Sequence, residues 1–590
     1  MKQFFKMMFA STLGFILAFV VVFIILAVII GGLASSFGAK DEVSIKANSI
    51  IQIGFEGEMV EQAQKSPFDD FDIPGLENAK SFGLNQFRNA IAEAASNKSI
   101  KGVYLKIPVM ISGGYASKKE MRDALLQLKD SGKFIVAYAE ILNESNYYLA
   151  SVADKVFLNP SGDIVLNGLY AKTLFFSEMF KKVGVEVQVF KHGKFKSAVE
   201  PFTENKMSDA NKEQVSRYLE SIYANYLTEV ANSRGLSYAE FRQLTDNLEV
   251  QSVQDALNRK IVDGLKYDDE VHDFIKEELK LNKTDKVNFI NYFDFLSTVK
   301  AKNLLKKEKI AVLYAEGTIQ GGSSEAGAIG SESLIKTIRK IRLDSSYKAV
   351  VLRINSPGGS ALASDIMAQE LRLLKKAKPL IVSMGNVAAS GGYYIACVAD
   401  TIVAHKTSIT GSIGVFGMIP NMENLLNQKI GIQTDGVGTG KYADLMRVDK
   451  ALTEDEKAII QKMVDRIYVD FVNIVAENRG KSFTEIDSIA EGRVWTGEDA
   501  HKLGLVDVLG DFNTALNLAV ERAGLKEYRL VEFPEYQDPF EQIFSNKKQD
   551  IETKMLKAKL GDLYQTYTEA QKILNMRGLQ MRMPYSIEIN

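Results

Sequence analysis

The 590-residue chain has few of the residues from which several kinds of functional site are built. Its single cysteine, Cys397, excludes an intramolecular disulfide framework and any zinc site with several cysteine ligands. Four scattered histidines make a histidine-rich metal site unexpected and leave few candidates for a histidine-based triad. Eleven prolines leave no long proline-rich linker. We therefore expect neither a metal ion nor another cofactor.

Neither sign of charge is in excess, since 72 Lys and Arg face 74 Asp and Glu, for a net charge of −2. This balance excludes a generally basic nucleic-acid binder and an acidic disordered chain, so no nucleic-acid partner is expected. The length exceeds the roughly 250–300 residues at which single cores stop growing, and about two to four domains are predicted.

The N-terminal segment departs from this soluble composition. Residues 7–39 carry no charge, and Leu13–Ile30 is apolar apart from one glycine, which suffices to cross a hydrocarbon core ~30 Å thick. A cleaved secretory signal is the alternative, although its apolar region is normally about 7–15 residues. Because Lys2 and Lys6 precede the segment, the positive-inside rule predicts a single-pass anchor with a cytoplasmic N-terminus and everything after Lys40 outside the inner membrane.

The remaining chain contains an internal duplication with an offset of about 245 residues. The matched segments keep one order: 101–107 with 348–354, 147–154 with 393–400, 232–235 with 477–480, and 255–264 with 499–508. So long a period indicates two whole domains. The predicted organisation is a stub and anchor (1–45), a first repeat (46–299), a linker (300–309), a second repeat (310–535) and a polar, helical C-terminal extension (536–590) that matches neither repeat.

Each copy alternates predicted strands and helices. In the second copy, Ile310–Tyr314, Ala349–Leu352 and Leu380–Ser383 are short apolar runs typical of buried strands. Residues 363–375 have helical spacing, and Thr453 opens a capping box before a long amphipathic helix. The alternation predicts an α/β fold with a parallel sheet of βαβ units in each repeat.

Two glycine-containing motifs of the second copy suggest nucleophilic chemistry. Ser390 follows a predicted strand, is flanked by small residues and precedes Gly391-Gly392 and an apolar helix, as a nucleophile turn requires. The loop 353–360 contains Gly358-Gly359, whose backbone N–H groups can face an oxyanion or an extended peptide. It lacks the P-loop and dinucleotide-binding patterns, so nucleotide binding is not expected.

The first copy has lost these features but carries a different one. Glu144 aligns with Ser390, and the glycine pair after it is replaced by Ser145-Asn146. The same copy holds the segment 192–202, which includes Lys196. One repeat therefore supplies the candidate nucleophile, and the other can supply its partner across an interface.

The motifs Asn355–Ser360, Ala388–Tyr394, Thr410–Val415 and Lys196–Phe202, with the anchor and the duplication, resemble the signal peptide peptidase A family in its long, two-repeat form. The resemblance covers the chain from Met1 to about Phe533. It implies tandem domains of the Clp protease and crotonase fold. It also implies a bacterial inner-membrane serine–lysine endopeptidase, with its catalytic body in the periplasm, that forms homotetramers and degrades apolar peptides, namely cleaved signal peptides.

By position, the resemblance makes Ser390 the nucleophile, Lys196 the general base and Ser412 the hydroxyl that orients the base. The amides of Gly359 and Gly391 become the oxyanion donors. A lysine of ordinary pKa, about 10.4, is almost fully protonated near neutral pH, so the base must be buried to lower its pKa. A lysine trapped between two packed repeats meets that requirement.

A second lysine, Lys441, is an alternative candidate for the general base. Aligning 438–443 with 193–198 places Lys441 at the position equivalent to Lys196, and it follows Ser390 at a distance similar to that of the base in single-repeat relatives. The sequence after Lys196 matches the long form, whereas that after Lys441 does not. Two other functions also compete with the peptidase: a crotonase-like acyl-CoA enzyme, disfavoured by the anchor, and a non-enzymatic membrane scaffold, which would not need Ser390.

Overall fold

The computed structural model describes residues 2–37, 43–55, 57–63, 81–282, 284–300, 303–324, 327–535, 578–583 and 588–589. The chain begins with a single helix, α1 (Lys2–Phe37), which contains the predicted apolar segment. Within it, Lys6–Ile25 is long and apolar enough to cross a membrane, and none of this span is buried against the rest of the protein. This helix is consistent with a membrane-anchored protein.

The first repeat is built on a parallel sheet with the strand order β10-β1-β4-β5-β6-β9. Its strands are β1 (Ser49–Gly54), β2 (Glu58–Val60), β3 (Ser81–Gly83), β4 (Ile100–Ile107), β5 (Phe134–Asn143), β6 (Lys155–Val165), β7 (Ala171–Lys172), β8 (Glu186–Lys191), β9 (Gly264–Leu265) and β10 (Asn288–Asn291). Its helices are α2 (Leu84–Ser96), α3 (Tyr115–Asp130), α4 (Glu144–Ala150), α5 (Ser177–Val183), α6 (Glu200–Thr203), α7 (Asp209–Arg234), α8 (Tyr238–Asp246), α9 (Val253–Asn258), α10 (Asp268–Glu278) and α11 (Tyr292–Thr298), with a 3₁₀ turn at Ser197–Val199.

The second repeat has the equivalent sheet, β20-β18-β16-β14-β11-β22, with β17 and β21 branching from β16. Its strands are β11 (Lys309–Glu316), β12 (Thr318–Gln320), β13 (Ala328–Gly330), β14 (Tyr347–Ser356), β15 (Gly358–Ser360), β16 (Leu380–Ala389), β17 (Thr401–Ala404), β18 (Ile409–Gly411), β19 (Phe416–Asn421), β20 (Val494–Thr496), β21 (Val508–Leu509) and β22 (Arg529–Phe533). Its helices are α12 (Ser331–Leu343), α13 (Ala361–Ala377), α14 (Gly391–Ala396), α15 (Glu454–Arg479), α16 (Phe483–Ile489), α17 (Gly497–Lys502) and α18 (Phe512–Arg522), with a π-helical turn at Leu425–Ile430.

The predicted α/β class and duplication are confirmed by equivalent interactions in the two repeats. Tyr147 in α4 donates its buried hydroxyl to the Ile261 carbonyl at 2.6 Å, and Tyr393 in α14 donates to the Leu505 carbonyl at 2.8 Å. The three predicted strands of the second repeat lie within β11, β14 and β16. The predicted capping box is also present, because Thr453 and the third residue of α15 cap one another.

A further sheet, β13-β12-β15-β23-β19-β8, joins the repeats. Strand β8 of the first repeat pairs antiparallel with β19 of the second over six residue pairs. Strand β23 (Gln580–Arg582) lies between β15 and β19, and β24 (Glu588–Ile589) pairs with β7. These two C-terminal segments are therefore extended where a helix was predicted, because each forms backbone hydrogen bonds with a strand elsewhere in the chain. Residues 536–577, 584–587 and 590 of the predicted extension lie outside the described residues.

A buried ionic cluster also ties the repeats together. Arg353 in β14 has no exposed surface and forms a bidentate pair with Glu61, at 2.9 and 3.1 Å, and a 2.8 Å pair with Glu120 in α3. Arg88 and His405 complete the contacts of Glu120. Burial alone would raise the pKa of Glu120, but the two guanidinium groups hold it below its ordinary value. Glu120 and Arg353 thus stay charged inside the interface.

Replacing Arg353 by methionine leaves two buried carboxylates without their main partner. Removal of one member of a buried pair typically costs about 3–5 kcal/mol, so we expect a large fall in the denaturant midpoint of unfolding. The matched control is Arg372→Met, since Arg372 forms only a 3.9 Å surface contact with Glu477, and such pairs contribute about 0–1 kcal/mol. Equal midpoints for the two variants would show that the cluster does not hold the repeats together.

Candidate active site

Ser390 occupies a sharp turn between β16 and α14. Its backbone has φ 56° and ψ −115°, a left-handed conformation that costs energy for a residue with a side chain. The turn is held by the Ser390 N–H, which donates to the Gly411 carbonyl at 2.8 Å, and by the Ser390 carbonyl, which accepts from Tyr394 N–H at 2.8 Å. This strand–turn–helix arrangement presents the hydroxyl at the end of the sheet, inside a fully buried site.

Lys196 of the first repeat reaches the same point. Its Nζ lies 2.9 Å from the Ser390 hydroxyl oxygen, 3.0 Å from the Ser412 hydroxyl oxygen and 3.2 Å from the Ser412 carbonyl oxygen. The structure therefore brings together three residues singled out in the sequence, one from the first repeat and two from the second. The distances lie within hydrogen-bond reach, as proton transfer between a hydroxyl and a base requires.

The Lys196 side chain is completely buried, and this desolvation holds the pKa of its ammonium well below the ordinary value. Within the described part of the chain, the nitrogen contacts hydroxyl and carbonyl oxygens and no carboxylate. An adjacent carboxylate would stabilise the charged form and raise the pKa again. The surroundings thus favour a neutral amine, which can accept a proton.

Residues that the sequence reasoning missed form the wall behind Lys196. Gly492 has φ +78°, and a methyl group there would lie 2.7 Å from Lys196 Cβ, so only glycine fits. Gln214 in α7 donates to the Phe195 carbonyl at 3.1 Å and accepts from Val494 N–H at 3.2 Å. Both contacts join segments far apart in sequence, and no motif marks either residue.

The alternative base, Lys441, lies elsewhere. Its side chain is 68% exposed, and its Nζ is 2.7 Å from Asp455. The hydrogen bond and charge of Asp455 raise the pKa of Lys441, which keeps this lysine protonated. A charged amine at the surface has no contact with the buried Ser390 hydroxyl, so the structure does not bring these two residues together.

The two candidate oxyanion amides lie on either side of Gly358. Gly358 has φ +92°, and a methyl group there would lie 2.6 Å from the Gly391 amide nitrogen. The next residue, Gly359, is in β15, which ends directly before α13. The loop and the residue after Ser390 therefore border one small space, where two N–H groups can converge on a developing negative charge.

The first repeat has a carboxylate at the position equivalent to Ser390. Glu144 is buried at the start of α4 and accepts hydrogen bonds from the N–H groups of Asn167, at 2.5 Å, and Gly168, at 2.6 Å. Burial raises the pKa of this carboxyl group. The side chain closes the local loop and provides no hydroxyl, so the equivalent position has a structural role.

Comparison with known proteins identifies the family. A model described as peptidase family S49 matches residues 127–282 and 372–526, once in each repeat. This chain belongs to peptidase family S49. It is 38% identical to Protease 4 of Salmonella typhi over 75% of this chain and 72% of that protein. It is 35% identical to the chloroplastic serine protease SPPA of Arabidopsis thaliana over 83% of this chain and 72% of that protein.

Solved structures give more distant matches. A ClpP1 mutant from Listeria monocytogenes is 15% identical, with a TM-score of 0.24. The match covers 35% of this chain and 94% of the ClpP1 chain. A mutant of a membrane-bound stomatin-specific protease is 16% identical, with a TM-score of 0.25. The match covers 39% of this chain and 98% of that protein. The family match and the curated relatives make this chain a serine peptidase of two tandem repeats.

Substitution of Gly492 by alanine tests whether the close packing of Gly492 against Lys196 is needed for the reactivity of Ser390. The added methyl group must displace Lys196, and a misplacement of about 1 Å can lower the rate ~10²-fold. We expect the labelling of Ser390 by a fluorophosphonate probe to slow by about this factor. The control is Gly480→Ala: Gly480 also has positive φ, +62°, but a methyl group there would meet nothing within 4 Å. Equal labelling of both variants would contradict the proposed contact.

Proposed function

We propose that this protein is a membrane-anchored serine endopeptidase in which Ser390 is the nucleophile and Lys196 the general base, and that it degrades cleaved signal peptides. One observation carries the assignment: the buried Lys196 Nζ lies 2.9 Å from the Ser390 hydroxyl oxygen. A buried lysine without a carboxylate partner is costly for a fold to maintain, and such groups concentrate at functional sites.

In this mechanism the neutral Lys196 amine takes the hydroxyl proton as Ser390 Oγ attacks the scissile carbonyl carbon. The Ser412 hydroxyl orients the amine. The Gly359 and Gly391 N–H groups donate to the oxyanion. Lys196 then returns the proton to the leaving amine, and a water molecule, deprotonated in the same way, hydrolyses the acyl-enzyme.

The anchor and the family resemblance support this substrate class. An enzyme held by α1 works next to the bilayer, where apolar peptides remain after preproteins are processed. Lys2 and Lys6 before the apolar span support a cytoplasmic N-terminus and a periplasmic catalytic body in a bacterial inner membrane. Assembly into a homotetramer belongs to the same proposal and rests on the family resemblance.

The choice between the two lysines tests the mechanism. Lys196→Met and Lys441→Met both remove the charge but keep an unbranched side chain. Loss of a general base typically costs ~10²–10⁴-fold in rate, so we expect this loss for Lys196→Met, and less than tenfold for Lys441→Met. The assay is hydrolysis of a synthetic signal peptide by the detergent-solubilised protein, with Ser390→Ala as the inactive reference.

A larger rate loss for Lys441→Met than for Lys196→Met would move the proposed site entirely into the second repeat. Activity of Ser390→Ala within tenfold of wild type would show that another residue is the nucleophile, whereas no hydrolysis and no probe labelling by the folded wild-type chain would favour a scaffold.

The pH dependence of the reaction follows from the pKa of Lys196. Because burial lowers this pKa, the lysine loses its proton at a lower pH than a free lysine, and kcat/KM rises as the pH increases through that value. We expect the acid limb of the kcat/KM profile well below about 10.4, the ordinary lysine value. A profile that still rises with the midpoint of free lysine would show that Lys196 is not desolvated in the working enzyme.

A further inference from the structure

The first repeat contains a second contact between a lysine and a serine hydroxyl. Nζ of Lys118, in α3, lies 2.5 Å from the hydroxyl oxygen of Ser145, in α4. Neither residue has a role in the mechanism proposed at Ser390. A serine hydroxyl within hydrogen-bond reach of an amine is nevertheless the arrangement that an activated nucleophile requires.

The Lys118 amine has the environment of a base. The residue is 4% exposed, and burial lowers the pKa of its side chain to about 8. Among the described residues it forms no ion pair, so no carboxylate opposes this effect of burial. The next lysine differs, because the Lys119 amine pairs with Asp123 and lies 3.6 Å from Glu229. Near pH 8, roughly half of the Lys118 side chains are therefore neutral and able to accept a proton.

Ser145 is closer to solvent than Ser390. It is half-buried, whereas Ser390 is completely buried. The residues that flank it, Asn143 and Asn146, donate side-chain N–H groups to the Val109 carbonyl at 3.0 and 3.3 Å. The Val109 side chain is 51% exposed, so this loop meets α4 at the protein surface. A small molecule can approach Ser145 from that side.

Both residues lie in elements equivalent to those around Ser390. Ser145 comes one position after the residue aligned with Ser390, and Lys118 lies in the first turn of the helix that follows Gly113-Gly114. Gly113 has φ +89°, close to the φ of +92° at Gly358 in the second repeat. The first repeat thus keeps the glycine turn and the short helix, and it adds a lysine and a serine of its own.

The surroundings of this pair limit the size of its substrate. Beside Gly113-Gly114 the described chain has no strand equivalent to β15, so no sheet edge is offered to an extended peptide. A methyl group on Gly113 would lie 2.7 Å from the Met59 sulfur, and one on Gly114 would lie 2.6 Å from the Asn386 side-chain oxygen. Neighbouring side chains therefore cover the glycine loop and leave the approach at Ser145 to small molecules.

We propose that Ser145 and Lys118 form a second nucleophile–base pair, separate from Ser390, that hydrolyses small activated esters and not extended peptides. Ser145 Oγ forms a bond to the ester carbonyl carbon as its hydroxyl proton passes to Lys118 Nζ. The bond to the leaving alkoxide breaks, and Lys118 returns the proton to that alkoxide. A water molecule then hydrolyses the acyl-serine, which releases a carboxylic acid and restores the hydroxyl.

The first experiment maps the reactive serine with phenylmethanesulfonyl fluoride, a small reagent from which a serine oxygen displaces fluoride. The full-length, detergent-solubilised Ser390→Ala chain is treated at pH 8, and adducts are located by peptide mass spectrometry. We expect an adduct on Ser145 and none on Ser112, a nearby half-buried serine whose hydroxyl accepts from Met59 N–H at 2.6 Å and donates to the Gly57 carbonyl at 3.1 Å. Absence of an adduct on Ser145 would overturn the proposal.

The role of Lys118 is tested in the same Ser390→Ala chain by adding Lys118→Met, Lys118→Arg or the control Lys119→Met. Loss of a general base costs ~10²–10⁴-fold, so labelling of Ser145 should slow at least 10²-fold with Lys118→Met. Lys118→Arg should slow it equally, because arginine keeps a donor and a charge but does not lose its proton. Lys119→Met should stay within twofold. Denaturant midpoints show which variants are folded, and a folded Lys118 variant labelled at the parent rate would exclude Lys118 as the base.

The second experiment measures hydrolysis of p-nitrophenyl acetate above the uncatalysed rate. The Ser145→Ala/Ser390→Ala chain should be at least tenfold slower than Ser390→Ala, and equal rates would overturn the proposed ester hydrolysis. Cleavage of a signal peptide by Ser390→Ala that Ser145→Ala abolishes would contradict the limit to small esters. Because every chain compared lacks Ser390, these outcomes do not depend on the peptidase assignment.

Discussion

The burial of one lysine is the constraint on which the rest of the structure depends. An amine is a useful base near neutral pH only if water is kept from it, and Lys196 is completely buried. One repeat cannot supply that enclosure, because the side chain comes from the first repeat and its surroundings, Ser390, Ser412 and Gly492, come from the second. The β8–β19 pairing that closes the shared sheet lies just before Lys196 in the chain and thereby fixes its position.

Two buried cationic side chains at the interface between the repeats, Arg353 and Lys196, have opposite surroundings. Arg353 is surrounded by Glu61 and Glu120, so it stays charged and its role is to hold the repeats together. Among the described residues, the hydrogen-bond partners of the Lys196 amine are neutral oxygens, so burial lowers its pKa without an opposing carboxylate. The presence or absence of carboxylates therefore distinguishes, within one interface, a cation that stays paired from one whose pKa is lowered.

The sequence was most informative where local chemistry decides the structure. The Ser390 turn, the glycines near it and the strands around them follow from short segments, and the duplication predicted two similar α/β repeats. Lys196 was selected from two candidates because the residues after it match a family motif. Gly492 and Gln214 were not predictable, since their roles arise only where distant segments meet. Strand β23 was missed for the same reason: its extended form comes from pairing with β15 and β19, and its own sequence has no clear strand pattern.

The order of these parts along the chain has a consequence for synthesis. The first repeat leaves the ribosome early, and domains generally fold as units in the order in which they emerge. At that stage Lys196 lacks the residues that later enclose it, so it is exposed to water. Ser390 follows, but the loop that contains Gly492 is made later still. On the proposed mechanism, an unfinished chain therefore lacks the assembled Ser390–Lys196 pair until translation of the second repeat is almost complete.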